Sequence, residues 1–129
     1  VTRFIRSALE GTDLPVYGDG EQIRDFTFVG DVVAANLAVA DSDTEAGSVF
    51  NVSGGSNCSV NEVLDIVACV TGQRLTIARM PAVEGDVRRT GGDSSLLTDV
   101  TGWRPVTTIE DGLRAQVEWV RSVLASQDG

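Results

Sequence analysis

Apolar residues recur along this chain with two periods, a helical one and an alternating one, and the switches between them mark the elements. In the opening VTRFIRSALEG, Phe4, Ile5, Ala8 and Leu9 share one helical face, and Gly11 follows as a natural helix-ending residue. No capping residue precedes that helix, so the chain is expected to start as a piece of a longer protein starts. Leu14–Tyr17 is a short extended run that Pro15 assigns to a sheet edge, and Gly18-Asp19-Gly20 turns it. Ile23–Val29 alternates and is rich in aromatic and β-branched residues, which predicts a strand. Asp31–Ala40 reads as a mostly apolar helix buried on more than one face. Ser48–Val52 predicts a strand, and Ser53–Asn57 a Gly-rich turn with Cys58 in a polar loop after it.

The second half has clearer punctuation. Ser59-Val60-Asn61-Glu62 is a capping box that opens a helix running to Gly72. Arg74–Met80 predicts another strand, followed by the polar, Gly-rich stretch Val83–Asp93. Asp93 or Ser94 can cap a short helix over Leu96–Val100, and Gly102–Pro105 stops it. Thr107 or Thr108 caps the last helix, whose apolar stripe is Ile109, Leu113, Val117, Val120 and Leu124. Trp103 and Trp119 fall at packing positions and are expected in the core. Four or five helices and four short strands make a mixed α/β unit over residues 1–129, with no internal boundary or repeat.

Composition narrows the chemistry. The 129 residues are 42% hydrophobic and 22% charged, which excludes fibrous and disordered classes. The net charge of −9 disfavours nucleic acid and anionic membranes as partners. No apolar stretch is long enough for a membrane span, and the expected location is the cytoplasm. All ten basic residues are Arg, with no Lys and no His. That removes a Ser-His-Asp or Cys-His nucleophile, an imidazole metal ligand, a Schiff base, a Walker lysine and a Tyr-Lys couple. Cys58 and Cys69 are expected as free thiols, and the acidic Asp41, Asp43 and Glu45 as a solvated connection.

The run LPVYGDGEQIRDFTFVGDVVAANLAVA resembles the second half of the NAD-dependent epimerases and dehydratases of nucleotide sugars. These are extended short-chain dehydrogenases/reductases similar to UDP-glucose 4-epimerase. GSVFNVSGG, SVNEVLDIVACVTG, GDVRRTGGDSSLL and TGWRPVTTIEDGLRAQVEWVRS agree with that family in order and spacing. The resemblance implies the C-terminal, substrate-binding lobe of such an enzyme, without its Rossmann half. Gly18–Gly20 and Gly54–Gly55 read as turns outside any dinucleotide-binding context, and Glu21 stands where a lysine would follow Tyr17 in a Tyr-x-x-x-Lys pair. The chain is therefore expected to carry no catalytic residue and no cofactor, NAD belonging to the complete enzyme, and to be inactive alone.

Residue by residue, the resemblance implies that Arg24 contacts the diphosphate, that Val16 and Tyr17 flank the base, and that Asp86 reads the ribose. A guanidinium fork suits phosphate, and a carboxylate accepts two hydroxyl hydrogen bonds. Each has a plain structural alternative: a pair of Arg24 with Asp25 or Asp31, edge-strand packing for Val16 and Tyr17, a solvated loop for Asp86. The family's second diphosphate-contacting arginine is replaced by Val83, and an aromatic by Thr90; Arg79, Arg88 and Arg89 are the nearby cations left. The implied partner is a nucleotide sugar, UDP-linked. The competing readings are a stand-alone interaction module, and the lobe of a dehydratase or of a reductase with a non-sugar substrate. With the first half missing, Val49, Phe50 and the helix Asp31–Ala40 are expected to expose apolar surface, giving a homodimer or complementation by a Rossmann half.

Overall fold

In the computed structural model, which describes residues 1–127, the helices are α1 (Thr2–Glu10), α2 (Val29–Ala40), α3 (Val60–Thr71), α4 (Ser95–Thr101) and α5 (Ile109–Gln127). The strands are β1 (Leu14–Tyr17), β2 (Ile23–Phe26), β3 (Ser56–Ser59) and β4 (Ile77–Met80). They form two small sheets: β1 pairs with β4 in parallel, and β2 with β3 antiparallel. On its other side β2 makes a parallel bridge from Ile23 to Arg89 in the β4–α4 loop.

The main core lies between three helices. Ile5 and Ala8 of α1, Val63 and Val67 of α3, and Leu113, Val117 and Val120 of α5 are all buried against one another. The α1 and α5 faces are the helical stripes read from the sequence, and α1 and α3 end at Gly11 and Gly72 in the left-handed region, at φ 66° and 69°. Leu14 and Val16 of β1 pack with Leu64 as a second cluster, and Ala35, Leu97 and Trp103 form a third. The Ser59–Glu62 capping box is complete: Glu62 N–H donates to Ser59 Oγ, and Ser59 N–H to Glu62 Oε2. Thr108 caps α5 by accepting from Asp111 N–H, while Asp93 takes the N–H of Ser95 at the start of α4.

Several expectations change, and the strand predicted over Arg74–Met80 is shortened to Ile77–Met80. The strand predicted over Ser48–Val52 does not form; the strand is Ser56–Ser59, in the segment read as a turn and a polar loop. Its residues are polar and carry no alternation, and the ladder with β2 alone makes them a strand. The strand from Ile23 ends at Phe26, because α2 starts at Val29 rather than Asp31. Buried residues on α2 are only Asp31 and Ala35, so Val29, Val33 and Leu37 stand exposed in an i, i+4, i+8 row. Trp119 is 56% exposed, whereas Trp103 is buried as expected.

Asp31 holds the third cluster to the rest. Its side chain is buried in the first turn of α2, where the helix dipole favours a carboxylate. Oδ2 accepts the Thr107 N–H at 3.0 Å, and the Asp31 carbonyl accepts the Trp103 indole N–H at 3.1 Å. One residue thus docks α2 on the α4–α5 connection. Asp31→Ala leaves the Thr107 N–H without this acceptor and is expected to lower stability by about 1–3 kcal/mol in denaturant titration.

Candidate functional site

Strand β2 aims successive side chains to opposite faces, so Arg24 and Asp25 diverge. Asp25 accepts the Gly54 N–H at 2.9 Å and also the Thr27 hydroxyl, fixing the turn into β3. A Cβ on Gly55 would meet the Phe26 carbonyl oxygen at 2.4 Å, so that turn demands glycine. With Asp25 and Asp31 both engaged elsewhere, neither is the partner of Arg24.

The partner is Asp86. Arg24 Nη2 donates to Asp86 Oδ1, and Nη1 donates to the carbonyls of Ile23 and Val87, both at 2.9 Å. The Arg24 side chain is 25% exposed and that of Asp86 38%. Gln22 joins the pair to β1: its amide nitrogen donates to the Tyr17 carbonyl at 3.1 Å and reaches Asp86 Oδ2 at 3.5 Å. Gln22 Oε1 is buried without a partner. Arg24, Asp86 and the Tyr17 backbone therefore meet in one network. Tyr17 is 43% exposed, and Val16 is buried in the cluster with Leu14 and Leu64, its side chain a packing element rather than a free contact surface.

A second charged network adjoins the first on the β1–β2 turn. Arg88 Nη1 donates to both carboxylate oxygens of Asp19, at 2.7 and 3.0 Å. Arg79 donates to the Asp19 carbonyl and to Asn61 Oδ1, and Asn61 donates to the Asp19 carbonyl and to Glu21. Gly20 sits beneath them: a Cβ there would stand 2.2 Å from Asn61 Oδ1. Sequence alone assigns Asp19 to a turn and Asn61 to the capping box, and gives Gln22 no role. Gln22 had a signal, since it precedes Arg24 by two and so shares its side of the extended chain.

The hydrogen bonds from Arg88 and from Glu21 N–H hold the Asp19 carboxyl below the usual carboxylate range. Burial and the nearby Glu62 push the Cys58 thiol up, away from the reactive thiolate, and both cysteines are free. Among the described residues no cluster of three or more His, Cys, Asp or Glu could hold a metal ion. The glycine turns do not suit a dinucleotide either: the Gly54 N–H is taken by Asp25, and Gly20 is packed under Asn61. A mainly apolar cleft of about 530 Å³ lies apart from the charged networks, lined by Phe26, Phe28, Val29, Ile109, Leu113 and Trp119 among others.

Comparison with known proteins gives this arrangement its class. The profile of the NAD dependent epimerase/dehydratase family matches residues 1–53. The dTDP-glucose 4,6-dehydratase of Salmonella typhimurium is 37% identical over 124 residues, covering 89% of this chain and 34% of that protein. The structure of MoeE5 with UDP-glucuronic acid and NAD superposes with a TM-score of 0.86 at 41% identity, over 94% of this chain and 40% of that one. The UDP-glucose 4-epimerase of Thermotoga maritima, solved with UDP-glucose, gives 0.84 at 33% identity over 94% and 38%. In its mixed α/β fold and in its sequence the chain is thus similar to part of the NAD-dependent epimerases and dehydratases. It spans about 38% of the length of a UDP-glucose epimerase relative from Bacillus subtilis. No described helix is long and apolar enough to cross a membrane.

Asp19 has its carboxyl pKa lowered in the folded chain, so its ion pair adds stability above the unfolded pKa and loses it as pH falls through the folded one. Arg88→Ala is expected to move the Asp19 titration midpoint upward in carboxyl-detected NMR and to leave that of Glu62, held by Ser59, where it was.

Proposed function

We propose that residues 1–129 form the C-terminal, nucleotide-sugar-binding lobe of an NAD-dependent nucleotide-sugar epimerase acting on a UDP-linked sugar in the cytoplasm. The observation that carries this reading is the Arg24–Asp86 pair on the outer edge of β2, joined through Gln22 to the end of β1. Arg24 offers a permanently charged, planar donor for a diphosphate, already oriented by two carbonyls and a carboxylate. Asp86 turns a second oxygen toward Gln22 and can accept ribose hydroxyls there. Val16 and Tyr17 would present backbone groups and a half-exposed ring to the base. A dehydratase lobe is the second reading, favoured by the 37% identity to the dTDP-glucose 4,6-dehydratase.

Chemistry on the sugar would belong to the rest of the enzyme, with NAD accepting and returning a hydride there. This lobe's own work is to bind and orient the nucleotide. The chain alone is expected to show neither NAD binding nor turnover, by calorimetric titration and a coupled epimerase assay. UDP should perturb amide shifts around Arg24 and Asp86. Arg24→Lys keeps the charge but loses the fork, and is expected to weaken UDP about tenfold, the scale of one charge-assisted hydrogen bond. Shifts that cluster elsewhere and ignore Arg24→Lys would refute the assignment.

We also propose that the lobe associates, with a Rossmann half or with a second copy. Val29, Val33 and Leu37 form an exposed apolar row on α2, and Val49 is 83% exposed on the extended segment after it. Phe50 differs from expectation: it packs against Ala35, Leu97 and Trp103. Apolar burial acts at contact, whereas repulsion from the net charge is screened over about 8 Å at physiological salt. Light scattering at micromolar protein is expected to give a dimer, or a 1:1 complex when the first half is supplied. A strict monomer that ignores the first half would rule this out.

A further inference from the structure

Binding a diphosphate at Arg24, as proposed above, leaves an electrostatic shortfall. The ligand brings at least two negative charges, whereas Arg24 already spends Nη1 on two carbonyls and Nη2 on Asp86. A second cation has to come from nearby. Three arginines lie on β4 or the loop after it, and their hydrogen bonds separate them.

Arg79 is a structural clamp. Both its terminal nitrogens hold neutral acceptors, the Asp19 carbonyl and Asn61 Oδ1, over the close-packed Gly20. Arg89 is in register with Ile23 across the parallel bridge, so strand alternation turns its side chain to the face opposite Arg24. Arg88 remains. It follows Asp86 by two residues, its side chain is 72% exposed, and its sole side-chain partner among the described residues is the carboxylate of Asp19. That carboxylate is itself 54% exposed, so the pair is solvent-screened and easily exchanged. Gln22 and the Arg88–Asp19 pair are two ties between the same segments, the end of β1 with its turn and the loop at 86–88.

We propose that Arg88 is the second anion-binding arginine of the site, held by Asp19 in the free chain and exchanged onto the ligand's phosphate when a nucleoside diphosphate binds. Asp19 then acts as a competing anion: it keeps the guanidinium at the site and lowers net affinity by the strength of the pair it gives up. Releasing Arg88 also removes one of the two side-chain ties between the loop and the β1–β2 turn, while Gln22 keeps the other and Arg24 still anchors the loop at Asp86 and Val87.

The test is titration of the 129-residue chain with UDP, followed by calorimetry and amide shifts. Arg88→Ala removes an exposed side chain, so folding is unaffected, and it is expected to weaken UDP about tenfold. Asp19→Asn keeps an oxygen for the Glu21 N–H but releases Arg88, and is expected to tighten UDP by a few-fold. In Asp19→Asn/Arg88→Ala the gain should vanish. Unchanged UDP affinity in Arg88→Ala or in Asp19→Asn, with Arg24→Lys still weakening it, overturns the exchange and leaves the nucleotide-binding reading standing. Absence of UDP binding by the unsubstituted chain overturns both.

Discussion

Strand β2 is the constraint on which the site depends, because both of its edges are occupied. Its inner edge pairs antiparallel with β3, and its outer edge takes the loop after β4: Ile23 N–H donates to the Arg88 carbonyl, and Thr90 N–H donates to the Ile23 carbonyl. A four-residue strand with one partner would be a weak platform. Held on both sides, it fixes Arg24 relative to residues more than sixty positions away, and the Arg24 guanidinium returns the favour by holding the Asp86 and Val87 end of the loop.

Support for β2 comes from the helices through ordinary burial. Phe26 and Cys58, one on each strand of the small sheet, pack against the α1–α3–α5 core. The Ser59 cap makes the transition from β3 to α3 without a spare residue. Apolar burial sets the platform, and charged groups then decorate only its exposed rim. No arginine of the site is driven into the core, so each keeps its charge in partly solvated surroundings where exchange of partners is inexpensive.

The apolar cleft and the Arg24 network are separate features of one surface. No charged side chain lines the cleft, and Trp119, a large residue left 56% exposed, is among its lining. Phe26 lines the cleft, and Arg24 lies two residues before it on the same strand.

The sequence by itself determined whatever depends on neighbours within one or two helical turns. The α1 and α5 stripes, the Gly11 and Gly72 ends, the capping box at Ser59 and the β1 run were all legible there, since local spacing dictates them. Arg24 and Asp86 entered as candidates only through resemblance to a family. What tertiary structure decided are the pairings made across distance. The polar Ser56–Ser59 became a strand because β2 offered a ladder, while the more strand-like Ser48–Val52 found none. Trp119 was left outside because the α5 stripe of Leu113, Val117 and Val120 already filled the helix interface. Arg24 chose Asp86 over its sequence neighbours because alternation turned Asp25 to the other face and Thr107 claimed Asp31. Hydrophobic periodicity is a local property and can be read along the chain; partner choice among charged groups is settled only when the fold sets their distances.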